Sequence, residues 1–120
     1  MSEKEITTLK KARLLAYAAL NKKAVNPVIL NLKEFSSFSE FFVIVSGNNE
    51  NQVFAIYQEI ERVCREEKIS IFHTEGSQGS KWILLDLGDV LVHIFRQTER
   101  DYYNLEDLWH KARRVALPVI

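Results

Sequence analysis

Apolar side chains at helical spacing open the chain. Ile6, Leu9, Ala16, Tyr17 and Leu20 recur around Arg13, and Leu14, Leu15, Ala18 and Ala19 widen the arc. The spacing predicts a helix from about Ile6 to Lys22. Asn26-Pro27 stops it, because the residue before a proline is pushed out of the helical region. Val28 to Leu32 then reads as a strand, and Glu34 to Glu40 as a polar loop plugged by Phe35 and Phe38. Phe41 to Val45 is a continuous β-prone run, the mark of a strand covered on both faces. Ser46-Gly47-Asn48-Asn49 ends it. Asn49 fits an N-cap that Gln52 answers in a capping box. Val53, Ile56, Tyr57, Ile60, Val63 and Cys64 mark one face of a helix reaching about Glu67.

In the second half, Ile69 to Phe72 reads as a short strand and Thr74 to Ser80 as a glycine-containing loop. Trp82 to Leu85 and Val90 to Phe95 are two strands, joined in a hairpin by the Asp86-Leu87-Gly88-Asp89 turn. A final helix is expected from Asn104, acting as N-cap, with Leu105, Leu108, Trp109, Ala112 and Val115 as its buried stripe and Pro118 beyond its end. This order predicts a single α/β domain over residues 1–120, with a mixed five-stranded sheet flanked by helices.

Charge changes the picture more than composition does. Lys plus Arg and Asp plus Glu stand at 16 each. Proteins that hold nucleic acid through its phosphates carry a basic surplus, so little or no direct nucleic-acid binding is expected. Arg96, Arg100, Arg113 and Arg114 read as a solvated rim. Cys64 is the one cysteine, which leaves no internal disulfide and suits a reducing compartment. There is no signal-like leader and no apolar run of about twenty residues, so a cytoplasmic protein away from membranes is expected.

Candidate chemistry is sparse. His73, His93 and His110 have no metal-ligand spacing, and no metal or cofactor is expected. His93, inside an alternating strand, reads as a hydrogen-bonded core histidine. No nucleophile elbow or P-loop is present. Ser46-Gly47 before a helix is a place where phosphate can be gripped, which keeps a nucleotide-binding or nucleotidyltransferase-related enzyme as the alternative. Such an enzyme needs closely spaced carboxylates on the next strand to hold its metals. Ile69 to His73 offers none, and Asp86 and Asp89 straddle a turn instead.

One run of motifs is more specific. Glu75-Gly76 is followed by Lys81-Trp82-Ile83-Leu84-Leu85-Asp86, then by Gly88-Asp89-Val90-Leu91-Val92-His93-Ile94-Phe95, then by Arg100-Asp101-Tyr102-Tyr103-Asn104-Leu105-Glu106-Asp107-Leu108-Trp109. In order and spacing this resembles the RsfS (iojap-like) ribosomal silencing factor family. Glu40 to Gly47 and Leu30-Asn31-Leu32 match further family segments, with Asn31 and Glu40 standing where the family has Asp. The likeness runs from about Leu14 to Trp109.

The resemblance implies a nucleotidyltransferase-like fold without the catalytic residues, and a protein that is not an enzyme. It implies binding to the large ribosomal subunit through its protein L-fourteen, with subunit association blocked and translation repressed. It also implies a homodimer when free. On the same basis Glu75, Gly76, Lys81, Trp82, Ile83, Asp86 and Tyr103 are the expected partner-binding residues. Trp82 would be the anchor, since tryptophan buries a large area at little entropic cost. Trp82 and Ile83 point to opposite faces of a regular strand, so both meet one partner only at an edge or a twist.

Overall fold

The computed structural model describes residues 3–35 and 39–117, with side chains from residue 8 onward. Phe38 and Pro118, read above as a loop plug and a helix stop, lie outside the described residues, as does the side chain of Ile6. The elements are α1 (Glu3–Leu20), β1 (Val25–Asn31), β2 (Phe41–Gly47), α2 (Glu50–Glu66), β3 (His73–Glu75), β4 (Trp82–Asp86), β5 (Val90–Arg96), α3 (Gln97–Tyr103), α4 (Leu105–Leu108) and β6 (Arg113–Val115).

The sheet is mixed and has six strands in the order β3-β4-β5-β2-β1-β6, one more than expected. β2 and β5 run parallel through its centre, and every other pairing is antiparallel. α1 and α2 cover one face. Their apolar stripes, including Leu15, Ala19, Val53, Ile56 and Ile60, pack on Ile29, Val43, Val45, Ile83, Leu85, Val92 and Ile94 to form the main core. α2 begins at Asn49, whose side chain accepts from the Gln52 N–H at 2.9 Å. Gln52 returns its carbonyl to the Asn48 N–H and its amide to Lys22 and Lys23 carbonyls, locking the end of α1 to the start of α2.

Three assignments change. The strand expected at Ile69 to Phe72 falls on His73–Glu75, inside the expected loop. Ile69 and Ile71 pack against the main core instead, and pairing with β4 begins beyond them. The final helix, expected from Asn104 to about Val115, is reduced to α4, and a helix that was not expected, α3, precedes it. α3 ends at Tyr103 because Asn104 turns left-handed at φ 47, closing that helix rather than capping the next with its side chain. After α4 the chain straightens, and Arg113–Val115 pairs with Ile29–Asn31. The open edge of β1 otherwise leaves backbone groups without partners, and that demand overrides the helical spacing of Ala112 and Val115.

Candidate partner-binding site

The second face of the sheet is built differently. Alternation along β4 and β5 sends Trp82, Leu84 and Asp86, with Leu91, His93 and Phe95, away from α1 and α2, and register sets Trp82 beside Phe95 and Leu84 beside His93. β2 adds Phe42 and Ile44 to this face. Among the described residues, only the short C-terminal elements lie over it. Tyr103 stands 5.0 Å from Trp82 between ring centroids, and Trp109 stands 6.0 Å from Phe42. Trp82, Leu84, Leu91 and Phe42 therefore stay half-buried. Tyr102, in ring contact with Tyr103, is 83 % exposed, and Leu108 on α4 is 70 % exposed.

His93 lies at the centre of this face, stacked near Phe42, Trp82 and Phe95. The sequence reading of a hydrogen-bonded core histidine holds, with Trp82 Nε1–H donating to Nδ1 at 3.2 Å. Burial pushes its pKa down to about 4, so the ring is neutral near pH 7. With Nδ1 accepting, the ring proton sits on Nε2, which is sealed from solvent with no partner among the described residues.

The expected site residues divide into groups. Trp82 and Tyr103 come together in one ring contact. Lys81 is exposed just before Trp82, its carbonyl accepting from Arg96 N–H. Asp86 shares the face of Trp82 at the far end of β4, where its carboxylate accepts from the Gly88 N–H at 2.8 Å and shapes the hairpin turn. Glu75 lies at the sheet edge, paired with His73. Gly76 has φ +101, and a Cβ there would meet the Trp82 carbonyl oxygen at 3.0 Å. The close approach its lack of a side chain permits is to β4 of its own chain. Ile83 is not brought together with the others. It is fully buried under the helices on the opposite face.

Sequence reasoning missed Phe42, Leu84, Leu91, Tyr102, Leu108 and Trp109. The signal was present in the strand parity, since Phe42, Trp82, His93 and Phe95 alternate onto one face once the register is known. Arg100 also departs from its expected solvated rim. It is 6 % exposed, and its guanidinium donates to the Val25 carbonyl, the Ser46 hydroxyl and the Glu106 carboxylate. Among the described residues no group of three or more His, Cys, Asp or Glu is placed to hold a metal ion, and no helix is long and apolar enough to cross a membrane.

The family model described as "ribosomal silencing factor during starvation" matches residues 5–120. The chain belongs to the ribosomal silencing factor family. A silencing factor from Halalkalibacterium halodurans is 47% identical over 105 residues, covering 88% of this chain and 90% of that protein. The Bacillus subtilis silencing factor is 40% identical, covering 83% and 85% respectively. A crystal structure of a protein from Bacillus halodurans, 47% identical, superposes with a TM-score of 0.76 over 87% of this chain and 95% of that one. The half-open aromatic face therefore belongs to a silencing factor fold whose opposite face is filled by its own helices.

Proposed function

We propose that this protein binds the large ribosomal subunit through L-fourteen, blocks association of the subunits and so represses translation, acting in the cytoplasm. The observation that carries the site is the aromatic face. Trp82 and Tyr103 touch, Phe42 and Leu84 are left half-covered, and Tyr102 beside Tyr103 carries the aromatic surface into solvent. A large aromatic anchor inside a half-open apolar patch is the pattern of a binding hot spot. Glu75, Gly76 and Lys81 form the rim before Trp82, and Asp86 marks the other end of β4. Ile83 supports the strand from beneath and does not itself meet the partner.

Charge favours a protein surface over ribosomal RNA. Lys plus Arg and Asp plus Glu stand at 16 each, without the basic surplus that a surface tracking an RNA backbone carries. Family membership favours a role by docking over the alternative of a nucleotidyltransferase-related enzyme, and we read the fold as nucleotidyltransferase-like with its catalytic residues lost. The free protein is read as a homodimer through the same face, so self-association competes with docking. A dimer mass that persisted in the complex would reject that competition.

The deciding experiment is co-sedimentation with isolated ribosomal subunits, comparing the wild type with a folded Trp82→Ala variant. Pelleting with the large subunit alone, lost in the variant, is expected. No pelleting with either subunit overturns the function. Pelleting that the substitution leaves intact moves the site elsewhere.

A further inference from the structure

The parallel strands β2 and β5 end side by side at Gly47 and Arg96, and outside their carboxyl ends the structure holds a cleft of about 570 Å³. That volume is within the range of small-molecule sites. The position is where open α/β sheets most often take ligands, in the crevice beyond the carboxyl ends of their strands. It is separate from the aromatic face centred on Trp82 and His93.

The floor of the cleft is the buried Arg100. Its Nε and Nη1 are engaged by Glu106, Ser46 and the Val25 carbonyl. Its Nη2 has no partner among the described residues, yet it is not sealed from solvent as His93 Nε2 is, and the side chain lines the cleft. A buried guanidinium thus presents one free N–H₂ edge to the cavity. Arg114 also lines the cleft and donates to the other oxygen of the same carboxylate, Glu106, at 3.4 Å. Two guanidinium groups share the Glu106 carboxylate, and with Asp101 the cleft holds two guanidiniums and two carboxylates. The Asp101 carboxylate, also lining the cleft, accepts from the Gln97 amide.

The walls add neutral hydrogen-bonding groups. Asn26 and Asn104 both line the cleft in left-handed conformations, at φ 45 and φ 47. Neither side-chain amide is used in a hydrogen bond among the described residues. Arg100 Nη2 and the Arg114 guanidinium together form a two-armed donor fork for an anionic oxygen, with amides suited to hydroxyl or base edges beside it.

We propose that this cleft binds a small phosphate monoester of the nucleotide type, with the phosphate between Arg100 Nη2 and Arg114 and the amides of Asn26 and Asn104 on the rest of the molecule. The two substitutions that test it lie on exposed side chains, so the fold is retained. Arg114→Gln removes one arm of the fork, and Asp101→Asn removes the opposing negative charge.

The full chain is titrated with inorganic phosphate and with uridine 5′-monophosphate while backbone amide shifts are followed by NMR. Saturable shifts confined to Asn26, Gln97, Arg100 and Asn104 are expected, at least tenfold weaker in Arg114→Gln and severalfold tighter in Asp101→Asn. Tighter binding of the nucleotide than of phosphate assigns the amide walls to the rest of the ligand. Equal binding of the two confines the site to the phosphate and overturns the nucleotide assignment. Absence of saturable shifts, or shifts that neither substitution alters, overturns the site altogether. None of these readouts involves ribosomes, so failure here and failure of the ribosomal reading are distinguishable.

Discussion

Trp82 Nε1–H donates to His93 Nδ1 across 3.2 Å, joining the proposed anchor to the one histidine buried in the sheet. The bond fixes the tautomer and the ring orientation together. It also sets how the fold responds to acid. The unfolded chain takes up a proton near pH 6.5, while burial holds the folded ring unprotonated down to about 4. The His93 contribution to stability is therefore fully present above pH 6.5 and drains away as pH falls toward 4. A difference of that size corresponds to about 3 kcal/mol at most. Urea unfolding midpoints between pH 4 and 7.5 should fall more steeply for the wild type than for His93→Gln. Parallel curves would refute the assignment.

Neighbours in sequence should separate cleanly in function. Ile83 is fully buried beneath α1 and α2, so Ile83→Ala should cost about 2–5 kcal/mol of stability. Under conditions where that variant stays folded it should still pellet with the large subunit. Trp82→Ala should lose less stability, because the ring is half-exposed, and should lose pelleting. Denaturant curves run beside the sedimentation assay check both halves.

Gly76 and Gly79 offer a paired test of backbone geometry. Both have positive φ, +101 and +92, but only Gly76 has neighbours where a Cβ would go. Gly79→Ala should cost about 1 kcal/mol from backbone conformation alone. Gly76→Ala adds a clash with the Trp82 carbonyl and should cost clearly more. Equal melting temperatures for the two variants would show that β4 yields without penalty.

Cys64 should be chemically silent. It is 1 % exposed on α2, and burial pushes its thiol up to about 11, so little thiolate exists at pH 8. Iodoacetamide should label it only in denaturant. Labelling of the folded protein at the rate of a free thiol would show that α2 opens locally.

The main core was legible because its signals are local. Helical spacing in α1 and α2, the Asn49 cap and the apolar runs of β2 and β5 all follow from neighbouring residues. β3 and β6 were misplaced because their positions depend on distant partners. His73–Glu75 is a strand because β4 offers its edge there, and Arg113–Val115 because β1 does. The same distinction explains the site. Trp82 and Tyr103 could be singled out from family motifs. That they touch, and that Phe42 and His93 join them, depends on the β2–β5 and β4–β5 registers, which no short stretch of sequence encodes. Arg100 shows the limit most plainly. A charged residue after a strand looks solvated until Ser46, Val25 and Glu106 are known to converge on it.

The two outer strands are three residues each, and both carry charge: Glu75 on β3, Arg113 and Arg114 on β6. A foreign strand arriving at either end finds a short ladder bordered by ionic groups, a poor template for continued growth. The broad hydrophobic sheet is thereby kept from polymerising through its margins. Such a protein can keep an adhesive aromatic face exposed and still accumulate without forming fibres.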